Sequence, residues 1–361
     1  MSNILKIGIS QGDTNGVGWE VILKILSDSR IVELCTPVVY GTPNGAAYYA
    51  KSLSEDYERV EFNIVESAED AEEGRVNLVQ CGAKEISITP GKPSKVGGEA
   101  AAVALSKAVE ELRSGAIDAL VTAPIDKEMI QSVSFNFTGH TEFLASKLGG
   151  EPLMIMASEL MRVGLVTIHV PVAQVAERIS KELIVHRIEQ MNDSMKQDFG
   201  VVRPKVAVLA LNPHAGDGGL LGEEENEIIK PAIVDCFERD ILAFGPFAAD
   251  GFFASGQFKN YDAILAMYHD QGLAPFKTLT PDGVNFTASL SAVRTSPDHG
   301  TAYNLAGKNE ADPQSMLHAI YAAIDILRER SSNEQLEAGK LIWEPKVEKR
   351  EYHVEKFVPK D

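Results

Sequence analysis

Short apolar runs of strand length alternate with longer segments of helical pattern along most of this chain. ILKIGI, Val60 to Val65, AIDALVTAP, RVGLVTIH, KVAVLALNPH and YDAILAMYH each read as a short buried strand. Between them, Glu20 to Leu26, Gly98 to Arg113, Val172 to Phe199 and Glu223 to Arg239 space their apolar residues as helices do. Strand, helix, strand in repetition is the pattern of crossover connections, so the chain is predicted to be an α/β protein with a largely parallel sheet. With 361 residues there is room for two domains and a core that needs no staples. No internal repeat and no long Pro/Ser/Gly linker is visible, which predicts domains joined by crossing strands rather than by a tether.

The charge balance narrows the partners. Against 34 Lys+Arg stand 52 Asp+Glu, a formal net charge of −18, and no long basic run offers the footprint that nucleic acid needs. A local anion site needs only two or three well-placed cations, so the acidity does not argue against a phosphorylated small molecule. Cys35, Cys81 and Cys236 are far apart and in no C-x-x-C pattern, as expected of inert thiols in a reducing compartment. The N-terminal MSNILKIGIS lacks a signal-peptide pattern and no apolar stretch reaches membrane-spanning length, so a cytoplasmic, membrane-free protein is expected.

Three of the predicted strands run into a histidine: His169, His214 and His269. Residues at the carboxyl ends of strands line the ligand crevice of open α/β sheets. Spacings this wide match no compact zinc-finger code, whereas imidazoles converging from separate strands suit a catalytic metal with an open position. A lone histidine so placed is more often a hydrogen-bonded bystander; three in one structural position weigh evenly against that. Asp217, Asp250 and Asp270 are candidates to fix the imidazole tautomers.

Other polar segments fall on turns. Gly12-Asp13-Thr14-Asn15-Gly16-Val17-Gly18 follows the first strand but is not G-x-G-x-x-G, so it is either a plain strand-to-helix turn or a close approach to a ligand. Thr138 could cap the helix that begins FLASKLG, with His140 and Thr141 where a helix N-terminus receives an anion. Lys127, after Pro124, is free to reach a phosphate or carboxylate. The acidic triplet Glu223 to Glu225 suits the positive end of a helix. Lys277, Asn285 and Arg294 spread cationic and amide groups over a loop-rich stretch, and arginine suits bidentate contact with a carboxylate or phosphate. His299, before Gly300, could place a ring or a backbone N–H against a cofactor. The charged Ser52 to Gly74 region reads as solvated surface, and the tail from Trp343 to Asp361, with His353, as an edge strand or a loose end.

Taken together, TAPIDK, FTGHTEFLA, LNPHAGDGGLLGEEE, YHDQGLAPFK and RTSPDHGTAYNLAG resemble the 4-hydroxythreonine-4-phosphate dehydrogenase family of the pyridoxal phosphate pathway, over about Ile7 to Leu317. The first turn departs from the family's GDPAGIGPE, with Thr14-Asn15 and Trp19 in place of its two prolines. The resemblance implies the fold of isocitrate and isopropylmalate dehydrogenases: two α/β domains, interleaved in sequence, around a central cleft. Residues 1–133 with 285–361 would form the cofactor-loop side, and 134–284 the metal and dimer side. It implies one divalent metal ion (zinc, cobalt, magnesium or manganese) on His169, His214 and His269; imidazole ligation favours zinc or cobalt. It implies substrate binding by His140, Thr141, Lys277, Asn285 and Arg294, with Asp250 and Lys277 in the chemistry. NAD, or NADP, would lie on Asp13, His299, Gly300, Thr301, Ala302 and Asn304. A homodimer is implied, its active site shared and one histidine supplied by the neighbour.

The implied activity is NAD-dependent oxidation of 4-phosphooxy-L-threonine at C3 to 2-amino-3-oxo-4-phosphooxybutanoate, which decarboxylates to 3-amino-2-oxopropyl phosphate. The alternative is the matching dehydrogenase of 4-phospho-D-erythronate or 4-phospho-D-threonate. A metal-dependent phosphatase or lyase would need bridging carboxylates, and D-x-D pairs are absent.

Overall fold

The computed structural model describes residues 4–131, 137 and 140–340. Among the described residues twelve strands form one sheet: β1 (Lys6–Ser10), β2 (Thr36–Gly41), β3 (Phe62–Val65), β4 (Val76–Gln80), β5 (Ala119–Thr122), β6 (Leu153–Ala157), β7 (Arg162–Leu165), β8 (Lys205–Leu209), β9 (Leu242–Phe247), β10 (Ala263–Ala266), β11 (Val284–Ala288) and β12 (Val293–Pro297). Their order across the sheet is β3-β4-β2-β1-β5-β12-β11-β6-β7-β10-β8-β9. The six strands from β3 to β12 run parallel, and so do the four from β7 to β9. The two blocks are joined by antiparallel pairing through β11 and β6. The α/β expectation therefore holds, with the departure from parallel pairing confined to the middle of the sheet.

Both faces of the sheet are covered, which explains the nearly continuous apolar strands. On β5, Ala119 and Val121 join one core while Leu120 joins another. The helix Lys95–Ser114 packs on β1, β2 and β5, and the helix Gln314–Ala338 on β5, β11 and β12. In the second block Val163, Leu165, Ile264 and Ala266 face a core shared with Leu273 and Phe276 of the helix His269–Leu279. The helix Lys181–Gln197 packs on β6, β7, β8 and β10.

All six strands expected from the sequence form. Two expected helices are broken. Ile179 is extended and Ser180 accepts from the Leu183 amide as a new N-cap, so Val172 to Phe199 is a short turn of helix followed by Lys181–Gln197. The Glu223 to Arg239 segment opens with a π-helical turn, Glu225–Ile229, before the α-helix Lys230–Glu238. The expected domain boundary near 133/134, the Thr138 cap and the tail with His353 lie outside the described residues, and that at 284/285 falls inside β11.

The three cysteines are buried and unpaired. Burial pushes the Cys35 and Cys81 thiols up to about 12 and Cys236 to about 11, so none is a thiolate at neutral pH. Among the described residues no helix is long and apolar enough to cross a membrane.

One glycine fixes a turn that the site uses. A Cβ on Gly98 would stand 2.1 Å from the Met129 carbonyl oxygen, a backbone atom that cannot swing aside. The turn at Asp126 to Ile130 lies against this helix, with Asp126 Oδ1 accepting from the Glu128 and Met129 amides. Gly98→Ala is expected to destabilise the fold by about 1–3 kcal/mol, read as a lower midpoint in denaturant unfolding with an unchanged slope.

Candidate active site

Arg294, the second residue of β12, is 2 % exposed, and its guanidinium is held by two hydroxyls. Nε and one terminal nitrogen donate to Thr122 Oγ1 at the end of β5, and the other donates to Thr287 Oγ1 on β11 at 3.0 Å. Among the described residues no carboxylate is paired with it. A guanidinium has five N–H donors, so two are left for a ligand. Burial of an uncompensated cation is costly, and here it pulls the arginine pKa down to about 9.

The cavity beside Arg294 holds about 230 Å³ and is lined from both parallel blocks and the strands that join them. Thr122 ends β5, and Pro124 and Lys127 follow it; Met154 lies on β6; His169 follows β7; Asn285 and Ser296 come from β11 and β12; His140 and Thr141 begin the helix His140–Leu148. Among the described residues, the buried atoms His140 Nε2, Asn285 Oδ1 and His299 Nε2 have no hydrogen-bond partner. Desolvation, followed by the Arg294 and Lys127 cations, holds the His140 pKa well below the usual histidine range. The ring is therefore neutral at pH 7 and has a hydrogen bond rather than a charge to offer a ligand. A buried cation with spare donors, a nearby lysine and polar atoms awaiting partners form a pocket for a small anion such as a phosphate ester.

A second cavity, of about 510 Å³, is lined by Val17, Pro281, Asp282, His299, Ala302, Leu305, Ala311 and Asp312 among others. His299 borders both cavities. The loop that makes this wall is fastened at several points. The Glu20 carboxylate, fully buried, accepts from the Gly307 and Ala311 amides, and Lys24 Nζ donates to the Ala311 carbonyl at 2.7 Å. Thr301 O accepts from the Val17 amide. Tyr303 Oη lies 2.9 Å from Asp13 Oδ2 and 3.1 Å from Asp126 Oδ2, tying this loop to both the first turn and the turn that bears Lys127. Asp13 is buried, with its other oxygen accepting from the Asn15 amide; burial raises its pKa despite these two bonds. Its carboxylate thus orders the loop. Asn304 is exposed on the same loop.

The three histidines divide between two places. His169 and His269 face each other with ring centroids 6.1 Å apart. His269 Nδ1 bonds Asp270 Oδ1 at 2.7 Å, the tautomer-fixing contact expected of Asp270, which leaves Nε2 as a donor atom for a ligand. Desolvation, then Lys127, keeps the His169 pKa low against the opposing Glu142, with His269 adding to the lowering. His214 instead lines a separate hollow of about 540 Å³ with Asp250, Phe253 and Tyr268. Among the described residues no three His, Cys, Asp or Glu side chains come together around a metal position. A neutral imidazole and a tautomer-fixed one fit part of a divalent-ion donor set, and a full set needs a further group from outside this cluster. Lys277 is placed outside the anion cavity, ion-paired with Asp298 Oδ1 at 2.7 Å. Thr122, Thr287, Asp126, Asp298 and Tyr303 were not singled out by sequence; each acts by holding another residue, which only packing reveals.

With this geometry in view, comparison with known proteins is decisive. A family model described as pyridoxal phosphate biosynthetic protein PdxA matches residues 33–323. The chain belongs to this family. A relative from Bacteroides thetaiotaomicron named 4-hydroxythreonine-4-phosphate dehydrogenase is 52% identical over 91% of this chain and 90% of its own length. The crystal structure of a 4-hydroxythreonine-4-phosphate dehydrogenase from Klebsiella pneumoniae superposes with a TM-score of 0.79 at 30% identity, covering 90% of this chain and 98% of that one. A relative from Oceanobacillus iheyensis, provisionally named D-threonate 4-phosphate dehydrogenase, is 38% identical over 89% of this chain and 97% of its own length. The PdxA family thus spans the segments that hold Arg294, His140 and the three histidines.

Because Arg294 is the buried cation of this cavity, Arg294→Gln is expected to weaken binding of inorganic phosphate by about 10- to 100-fold, the worth of a charged hydrogen bond, read by calorimetric titration at pH 7.

Proposed function

We propose that this PdxA-family oxidoreductase converts 4-phosphooxy-L-threonine, with NAD, to 2-amino-3-oxo-4-phosphooxybutanoate, which loses CO2 to give 3-amino-2-oxopropyl phosphate. The observation that carries this reading is the buried, uncompensated Arg294 in a cavity whose wall, at His299, is also the wall of a larger cavity. The names of the Bacteroides and Klebsiella relatives support the substrate.

In this reading the phosphate sits against Arg294, His140, Thr141, Asn285 and Lys127. Arg294 supplies charge and two free N–H donors, and neutral His140 supplies a directional bond at Nε2. Holding the C4 phosphate there turns C3 toward His299 and the second cavity, the proximity contribution to catalysis. The nicotinamide cofactor lies along His299, Gly300, Thr301, Ala302 and Asn304, on the loop ordered by Asp13, Glu20 and Tyr303. We assign the divalent ion to His169 and His269, with His214 of a second copy as third ligand in a homodimer. When bound, the ion supplies a Lewis acid that acidifies the C3 hydroxyl, and the nicotinamide supplies the hydride acceptor. The hydroxyl proton would pass to the Asp250 carboxylate that accompanies His214 of the second copy, as C3 gives up its hydrogen with the bonding electron pair. Lys277, held by Asp298, offers its Nζ proton to the carbonyl side of the substrate during decarboxylation. Residues 1–133 with 285–361 are then the cofactor side and 134–284 the metal side.

NADH formation at 340 nm tests the assignment, with 4-phosphooxy-L-threonine, 4-phospho-D-erythronate and 4-phospho-D-threonate compared. Turnover of the amino acid, abolished by a chelator and by His269→Ala, is the expected result. Preference for 4-phospho-D-threonate, the activity in the provisional name of the Oceanobacillus relative, would keep the site and change the substrate. Loss of activity in Arg294→Gln should lie mainly in kcat/KM, roughly 10- to 100-fold or more, the worth of a charged hydrogen bond.

Tyr303→Phe removes both links between the cofactor loop and its two aspartates. The KM for NAD is expected to rise several-fold, while inorganic phosphate binding stays within twofold of the unmodified protein.

A further inference from the structure

The turn that presents His214 is left-handed for five consecutive residues. His214 (φ 53°), Ala215 (53°), Gly216 (78°), Asp217 (44°) and Gly218 (68°) all have positive φ. For an L-residue this conformation costs roughly 1–2 kcal/mol, and three of the five are not glycine. Such a segment persists only where its surroundings over-determine it.

The surroundings here converge on Glu225. Its side chain is 1 % exposed, although it opens a helical segment where the sequence suggested no more than a favourable end charge. Oε1 accepts from the amides of Leu211 and Asn212 at 2.8 and 2.7 Å, and Oε2 from Asn212 Nδ2 at 3.0 Å. Glu224 Oε2 accepts from the same Asn212 nitrogen at 2.7 Å. On its other side, Oε2 fills the space a Cβ of Gly216 would take, 2.6 Å from that position. One carboxylate therefore grips the chain two residues before His214 and leans on it two residues after. No ion pair among the described residues reaches Glu225, so its charge is balanced by these N–H donors alone.

We propose that Glu225 is the positioning residue for His214: it clamps the left-handed turn and so fixes the direction in which the imidazole leaves the chain. This rests on the reading of His214 as a metal ligand given above. The clamp is specific to a carboxylate. In a glutamine, the amide group at the Oε2 position would face the Asn212 Nδ2 donor, and donor would meet donor.

Cobalt(II) titration of the purified metal-free protein, followed by visible absorption, tests this in the unmodified protein, His214→Ala, Glu225→Gln and Glu223→Gln. Glu223 stands at the same helix start but is exposed, its carboxylate accepting from Asn226 Nδ2 at 3.3 Å. Glu225→Gln is expected to shift the cobalt bands toward those of His214→Ala and to weaken affinity by about tenfold or more. Glu223→Gln should match the unmodified protein. Inorganic phosphate should bind Glu225→Gln as it binds the unmodified protein, which separates a local effect from general loosening. If Glu225→Gln fails to fold, Asn212→Ala, which removes the side-chain limb of the clamp and leaves the backbone limb, should give a smaller shift in the same direction. Unaltered cobalt bands and affinity in Glu225→Gln, with His214→Ala changed, would overturn the positioning role and leave the metal reading standing. No change in His214→Ala would overturn both.

Discussion

A guanidinium sealed beneath the sheet with two threonine hydroxyls as its partners governs how the rest of this molecule is built. A cation can be kept there only if the strands around it supply acceptors and the ligand supplies the charge. Thr122, Thr287 and Arg294 meet that demand from three neighbouring strands, β5, β11 and β12. The same junction is where the pairing switches from parallel to antiparallel. The switch brings β6 and β7 next to it, and with them Met154 and His169 into the anion cavity. Charge burial and strand direction are thus two aspects of one arrangement. Replacing the arginine with a carboxamide would remove the need for the arrangement and its use together.

Around that centre the loops are held by buried polar groups rather than by apolar packing alone. Glu20 and Lys24, on the first helix Gly18–Leu26, take up the amides and carbonyl of the loop at Gly307 and Ala311. Tyr303 reaches two carboxylates at once, so its single proton serves a site where Asp13 and Asp126 repel. Glu225 does the corresponding work for the turn at His214. In each case a buried polar or charged group is satisfied by a specific hydrogen-bond partner, the arrangement in which leaving either partner alone is costly. Displacing any of these three described segments would uncover an unpaired group.

Much of this was legible in advance, for identifiable reasons. Five of the six expected strands form as short apolar runs buried on both faces, and the sixth, Phe62–Val65, is a half-exposed strand at the sheet edge. The strands that escaped notice include Val293–Pro297, VRTSP, where a buried arginine and three hydroxyl or proline residues disguise a central strand. The long helix expected from Val172 to Phe199 failed at Ser180, whose capping bond competes with helix continuation. The acidic triplet was read as an end-charge effect, and one member, Glu225, turns inward instead. His140, Asn285, Arg294, His169 and His299 were named from sequence and do meet in one cavity, while Lys277 is placed beside it on Asp298 and His214 in a separate hollow.

By itself the sequence determined the fold class, the family and the identity of most groups that line the cavities, because apolar periodicity and local motifs are properties of neighbours along the chain. Only the tertiary structure decided that Arg294 has no counter-charge among the described residues, that His169 and His269 face one another while His214 stands apart, that Glu225 turns inward onto the His214 turn, and that Tyr303 reaches carboxylates far from it in sequence. Those facts depend on burial and on distances between segments up to 290 residues apart, as at Asp13 and Tyr303. A carboxylate or guanidinium acquires its role from what desolvates it and what it can reach, and neither is written in the residues beside it.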